Sequence, residues 1–357
     1  MKERNMNILE MRFGLLAFAC LCSGMVISSC AVEKEYQANE DEKMYLEAWL
    51  HTHHPDAKKT GMGIYLLNEE ITGTGEDVTM PCYVMVTYTV RDLEGNITSS
   101  SDAESAKQTG DYDQTYYYGP RVWTFGEGSI TKGLEDLLTG MKVGGEREAL
   151  IPGWFQTYNR YETEEEYMKE VTDQSAQIYK VRVDEITEDI YEWQTDRIEE
   201  YCAEHSITLP EADPEGFYYI QETAGEGEPE DMHKDTTVYI NYTGMRLDGQ
   251  VFDTTDEKTA KDHHIFSSDK TYGPMEVTMS ADSTEIKLDD NSIISGFGKT
   301  LWEMRPMEKG TGIFYSTYGY GTSGSGSLIP GYAPLIFKIE LVPDPDPDEE
   351  DTEEGEE

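Results

Sequence analysis

Tyr242, Phe252, Phe297, Tyr320 and Phe337 gather aromatic rings into one stretch of the chain, Val238 to Leu341, and a single carboxylate, Asp253, follows Phe252 directly. If these rings converge, they form a small apolar pocket with a few polar edges, able to take an apolar group out of water without a nucleophile or a cofactor. A plainer reading stands beside this one. Tyr242, Phe252, Phe297 and Phe337 are also spaced as core residues would be in any small α+β domain. Asp253, before Thr254 and Thr255, suits a turn, and Tyr320 in YGYGTSGSGS suits a flexible loop.

The elements that would position these groups are legible. In VYINYTGM, Val238, Ile240 and Tyr242 recur at period two, the pattern of a half-buried strand. LIFKIEL alternates likewise, setting Leu335, Phe337, Ile339 and Leu341 on one face and Lys338 and Glu340 on the other. Between them Phe297, Leu301 and Met304 follow Gly296 at helical spacing, so a short amphipathic helix carries Phe297 in its first turn and packs across the concave face of the sheet.

In the order VYINYTGMRLDGQVFD, IISGFGKTLWEM, STYGYG and LIPGYAPLIFKIEL, these segments resemble the FKBP-type prolyl isomerases, small half-barrels around one proline-sized aromatic pocket. The resemblance implies Phe297 at the pocket floor, where the family usually has Trp, with Tyr242, Phe252 and Phe337 as walls and Asp253 as the polar wall group. It assigns the backbone N–H of Ile294 and the hydroxyl of Tyr320 to substrate carbonyls, and Ile329 to the loop above the pocket. The implied reaction is cis–trans isomerisation of X-Pro bonds. Amide resonance sets its barrier and makes the planar ground state more polar than the twisted transition state, so an aromatic pocket favours the twist. No cofactor or metal is implied; the substrates are proline-containing polypeptides. The chain departs from the family in the long stretch 254–291, where the additional wall aromatic is Phe266 or Tyr272; His263 and His264 lie within it as a ligand pair or as exposed loop residues.

A copy of the same pattern precedes this one. GIYLLNEEITGTGED parallels GFYYIQETAGEGEPED, and YVMVTYTVRDLEGN parallels VYINYTGMRLDGQ, with Tyr88 matching Tyr242. The repeat has a period near 150 residues. Its pocket positions differ: Thr98 and Ser99 stand for Phe252 and Asp253, Thr131 for Ile294, Leu134 for Phe297, and about Gln156 for Tyr320. Thr163 and Glu166 are spaced for a capping box. This copy reads as a non-catalytic domain that binds a partner or dimerises, or as a spacer.

The organisation expected is therefore α+β, with two tandem FKBP-like antiparallel half-barrels, each preceded by a helix and crossed by a short one. Residues 1–30 read as a signal peptide: Arg12, the apolar run FGLLAFACLCSGMVI, then Ser28, Ser29 and Cys30. VISSC resembles a bacterial lipobox, which makes Cys30 the lipidated N-terminus and the membrane a partner through that lipid. A linker and helix occupy 31–61, with Tyr45, Leu46, Trp49 and Leu50 as an apolar stripe; His51, His53 and His54 there suit either a metal or a solvated helix end. The degenerate copy spans 62–187. A connecting helix with Ile190, Trp193, Ile198, Tyr201 and Cys202 along one side, broken at Pro210 and Pro214, falls within 188–213. The second copy spans 214–342 and an acidic disordered tail 343–357. Cys82 and Cys202 read as small buried residues, a disulfide between them being possible but not indicated.

The formal charge of −44, from 28 Lys and Arg against 72 Asp and Glu, disfavours nucleic acid and anionic surfaces as partners. The expected function is a lipid-anchored isomerase of the bacterial cell envelope, on the periplasmic or outer face of the outer membrane, that helps exported proteins fold. The alternative is a binding lipoprotein whose half-barrels dock protein partners without turnover.

Overall fold

The computed structural model describes residues 39–345 except 69, 70, 127, 211, 212, 214 and 290, so the proposed signal, Cys30 and most of the acidic tail lie outside the described residues. After a helix α1 (39–53) come β1 (Lys58–Lys59), β2 (Tyr65–Leu66), β3 (Cys82–Arg91), β4 (Ile97–Ser100), α2 (Ala103–Thr109) and β5 (Arg121–Phe125). They are followed by α3 (Lys132–Leu138), β6 (Glu146–Ile151), α4 (Glu164–Tyr167) and β7 (Gln177–Thr187). A second helix, α5 (Ile190–Glu204), then opens the same succession again: β8 (Phe217–Thr223), β9 (Thr236–Arg246), β10 (Val251–Thr254), α6 (Glu257–Asp262) and β11 (Met275–Met279). A small hairpin, β12 (Lys287–Leu288) and β13 (Asn291–Ser292), precedes α7 (Ser295–Glu303), β14 (Lys309–Phe314) and β15 (Leu335–Val342).

The repeat holds at the level of topology. The first sheet is ordered β1-β2-β6-β7-β3-β4 with β5 on β3, and the second β13-β12-β11-β9-β15-β14-β8 with β10 on β9. With β2, β3, β4, β5, β6 and β7 set against β8, β9, β10, β11, β14 and β15, each of these strands finds the same neighbours in both sheets, and β1, β12 and β13 stand outside the repeat. Local devices recur too: Asp102 caps α2 and Asp256 caps α6, each side chain accepting from the third backbone N–H on, at 2.8 and 2.7 Å. As many residues separate Ser99 from Arg121 as separate Asp253 from Met275. The extra length of the second copy therefore lies after β11, as the β12–β13 hairpin, rather than between β10 and β11.

The described residues gather into two compact units: one of the chain up to Pro81 with Tyr88–Ser99 and Thr124–Asp184, the other of Cys82–Thr87, Ser100–Trp123 and the chain from Glu185. In the first, Leu46 and Leu50 of α1 are buried with Leu137, Leu138, Leu150, Trp154, Phe155 and Tyr167. Tyr45, expected on the same stripe, is 56% exposed, because one helical step turns it off the face that Leu46 and Leu50 share. Thr163 and Glu166 form the capping box of α4 reciprocally.

In the second unit the sheet is covered on both faces. α7 lies across the concave side, where Ile240, Tyr242, Phe297, Leu301, Met304, Phe314, Leu335, Phe337, Ile339 and Leu341 share one core. The alternate residues Tyr218, Ile313 and Ile336 pack on the other side against Ile198, Tyr201 and Cys202 of α5. This two-sided burial fits the unbroken apolar starts of β8 (Phe217–Ile220) and β15 (Leu335–Phe337), before the alternation with polar residues begins. Trp193 is half-buried, its indole N–H donating to Glu185, while Gln194 takes the fully buried place beside it. The Gln194 side chain accepts from Ser316 N at 2.8 Å and donates to the Ile190 carbonyl, which makes its burial affordable. α5 ends at Glu204, with Ser206 at φ 56°, so the helix stops before Pro210 rather than being broken by it. Cys82 and Cys202 are both buried and are not joined by a disulfide.

Candidate active site

The pocket residues come from four elements of the second unit. β9 brings Tyr242 inward with Ile240, and the β9–β10 hairpin returns Phe252 and Asp253 beside it. In a regular strand Phe252 and Asp253 would face opposite sides of the sheet. A bulge between Val251 and Asp253, which pairs Val251 with Met245 but Asp253 with Gly244, lets Phe252 pack on Phe337 while Asp253 reaches the Tyr242 hydroxyl. α7 supplies Phe297 from its first turn, and β15 supplies Phe337 opposite Gly244.

The rings meet edge to face. Phe297 stands 5.2 Å from Tyr242 at 88° and 5.1 Å from Phe337 at 87°, and Phe252 stands 5.6 Å from Phe337 at 71°. Such arrangements are favourable because the ring edge is positive and the face negative. Phe314, which the sequence reading missed, lies parallel to Phe337 at 6.0 Å and backs this wall. Two glycines allow the close approach: a Cβ on Gly244 would stand 2.8 Å from both Phe252 and Phe337, and one on Gly296 would stand 2.4 Å from Phe314.

The polar edge is built on Asp253. Its carboxylate accepts from the Tyr242 hydroxyl at 2.7 Å and from Lys270, whose ammonium also lies 5.9 Å from the Tyr242 ring and 5.8 Å from that of Tyr272. Burial first, and then the charge of Asp253, push the Tyr242 hydroxyl far above the usual phenol range. The same two causes raise Tyr320. Both hydroxyls therefore stay protonated donors at neutral pH. The Tyr320 ring is 37% exposed and its hydroxyl makes no hydrogen bond among the described residues. Ile294 is the N-cap of α7; its carbonyl accepts from Phe297 N at 3.1 Å and Gly298 N at 3.2 Å, leaving its N–H outside the helix. Ile329 is 3% exposed and belongs to the same core as Phe297 and Phe337, in a loop closed by reciprocal backbone bonds between Ser325 and Ile329.

Of the residues singled out from the sequence, Tyr242, Phe297, Ile329 and Phe337 share one core, Phe252 and Ile294 pack against it, and Asp253 is bonded to Tyr242, while Cys30 lies outside the described residues. Of the two candidate wall aromatics, Phe266 and Tyr272 stack on each other at 5.5 Å, and Tyr272 is the one joined to the pocket through Lys270. Lys270 was not legible as a site residue: its partner is set by how the 254–274 excursion folds back. His263 caps the end of α6 and His264 takes φ 63°. Among the described residues no group of three or more His, Cys, Asp or Glu is arranged to hold a metal ion. His53 stacks on Trp49 at 4.6 Å at the end of α1.

At the positions matching Phe252, Phe297 and Tyr320 the first copy carries no aromatic ring, although Tyr88 stands where the second copy has Tyr242. Thr131 is the N-cap of α3 as Ile294 is of α7, and Leu134 falls on the third helical position, as Phe297 does. Gln156 ends the short 3₁₀ turn Gly153–Phe155 where Gly319 ends Ser316–Tyr318, so the residue opposite Tyr320 is Thr157, one further on.

Residues 228–342 match the family model described as FKBP-type peptidyl-prolyl cis-trans isomerase. Among curated proteins, the chain is 31% identical over 108 residues to FK506-binding protein 1B of Aspergillus fumigatus, covering 29% of this chain and 75% of that protein. It is 31% identical over 110 residues to peptidyl-prolyl cis-trans isomerase FKBP15-2 of Arabidopsis thaliana, covering 31% of this chain and about half, 54%, of that one. Among solved structures, the three FKBP domains of wheat FKBP73 align with 78% of this chain and 93% of that one, at 16% identity and a TM-score of 0.27. With a relative 31% identical that is covered over 75% of its length, and with the order of segments and the edge-to-face ring box in the matched region, the chain belongs to the FKBP-type peptidyl-prolyl cis-trans isomerase family.

Proposed function

We propose that the chain catalyses cis–trans isomerisation of X-Pro bonds in the Phe297 pocket, held by lipid on Cys30 at the envelope of a bacterium, where it serves exported proteins as they fold. The observation that carries the reading is the ring box of Tyr242, Phe252, Phe297 and Phe337, with two neutral hydroxyls at its edge. Proline enters over Phe297. The Tyr320 hydroxyl, without another partner, and the Ile294 N–H hold substrate carbonyls on either side. Desolvation lowers the resonance that keeps the amide planar, and the barrier near 20 kcal/mol falls without covalent chemistry. The anchor is supported by the apolar run ending in VISSC, and the choice of exported clients follows from it.

The test is proline exchange in an X-Pro peptide, followed by NMR with the chain from Ala31 and with Tyr320→Phe and Phe297→Ala. Catalysed exchange that falls in both variants supports the isomerase. Peptide shifts without acceleration would replace it with a binding module. For the anchor, metabolic labelling with a tagged fatty acid should mark the wild type and not Cys30→Ala.

A further inference from the structure

The segment Ser100–Trp123, which runs from the end of β4 through α2 into β5, belongs to the second compact unit. Its turn meets the arm that carries Ile329. The Arg246 guanidinium, on β9 and only 5% exposed, donates to the Leu328 carbonyl and at 3.4 Å to the Thr115 carbonyl. Asp248 accepts from its Nε and Nη2. The guanidinium also lies 5.4 Å from the Tyr117 ring. One residue earlier in the arm, the Ser327 carbonyl accepts from Tyr117 N at 2.8 Å. Two successive carbonyls, Ser327 and Leu328, are thus fastened immediately before Ile329. Farther along, the Tyr332 ring meets Tyr83 at 5.6 Å.

We propose that Arg246, together with the Thr115–Tyr117 turn, is the positioning device of the substrate arm: it holds Ile329 over the Phe297 pocket before substrate arrives, and so gives the degenerate copy a part in substrate affinity. The physical reasons are geometric. A buried guanidinium needs its donors satisfied, and its planar fork reaches Asp248 on one side and two carbonyls on the other, which a lysine ammonium cannot reproduce. A loop rich in glycine and serine, 321–327, would otherwise sample many conformations, and ordering it on binding would cost affinity. Pre-ordering acts on binding more than on the twist, because Ile329 frames the ligand without touching the amide that rotates.

The proposal takes the Phe297 pocket as the substrate site, but its main readout is binding, independent of turnover. In the chain from Ala31, which retains every described residue, X-Pro peptide affinity is measured by titration while the Ile329 methyl signal is followed by NMR. Arg246→Met should weaken peptide binding about tenfold, shift or broaden the Ile329 methyl, and, where exchange is catalysed, raise KM with kcat nearly unchanged. Arg246→Lys should recover only part of the affinity. Tyr117→Ala, a milder change should Arg246→Met fail to fold, should weaken binding severalfold and move the same methyl. Unaltered affinity with an unaltered Ile329 methyl in folded variants would overturn the proposal, as would a fall in kcat at constant KM. Absence of catalysis in the wild type, with peptide binding that still depends on Arg246, would sink the isomerase reading and leave this one standing.

Discussion

The Tyr242 hydroxyl donates to the Asp253 carboxylate at 2.7 Å across the β9–β10 hairpin, and Lys270 closes on the same carboxylate from the excursion beyond it. This pairing fixes the tilt of the Tyr242 ring against Phe297. Tyr242→Phe should keep the ring and lose the bond, costing about 1 kcal/mol of stability. Exchange catalysis should fall several-fold, read by NMR on an X-Pro peptide. An unchanged rate would mean that the hydroxyl is merely a satisfied polar group.

Phe297→Leu places in the second copy the residue that the first has at Leu134. Because volume is nearly conserved, unfolding in urea should show a loss below about 1.5 kcal/mol. The aromatic floor is gone, and the expected fall in kcat/KM is at least tenfold. Retention of activity would locate the desolvating surface elsewhere.

At Gly244 a methyl group would stand 2.8 Å from both Phe252 and Phe337. Neither ring can yield without moving the pocket wall. Gly244→Ala should therefore destabilise by about 1–3 kcal/mol. Peptide affinity should drop with it, and a crystal structure should show both rings displaced.

Alkaline pH should unfold the second unit early. Burial pushes the Tyr218 hydroxyl up to about 12, above its ordinary value of 10.0. Its folded pKa is raised, so the stability it contributes is fully present below about pH 10 and is lost as pH rises toward about 12. Tyr219 and Tyr242 are raised for the same first cause and act in the same direction. Urea midpoints should be flat from pH 7 to 9 and fall above 10, at up to about 1.4 kcal/mol per pH unit per tyrosine. Tyr218→Phe should make that fall shallower.

The −44 formal charge should make peptide capture sensitive to flanking charge. Raising ionic strength from about 0.01 to 0.15 M shortens the screening length from roughly 30 to 8 Å. Stopped-flow association should slow for a Lys-flanked X-Pro peptide and quicken for a Glu-flanked one. Equal salt responses would show that the local field of Lys270 outweighs the net charge.

Periodicity alone settled the strands, the short helix and the inward face of Tyr242, Phe337 and Phe297, because which residues are apolar and how far apart they stand are local properties. The repeat was legible for the same reason, as was the capping box of Thr163 and Glu166. What tertiary structure decided was everything that joins residues distant in the chain. The bulge at Phe252 re-aims one side chain without any mark in composition. Phe314 came to back the Phe337 ring only through the register of β14 on β15, and Lys270 became a partner of Asp253 only through the fold of its loop. Gln194 carries no mark in the sequence, and only the fold brings the backbone N–H of Ser316 to its side chain. Arg246 is the extreme case: it reads as an ordinary polar residue in an alternating strand, and its three guanidinium nitrogens find acceptors on Asp248, Thr115 and Leu328, which only the folded chain brings together.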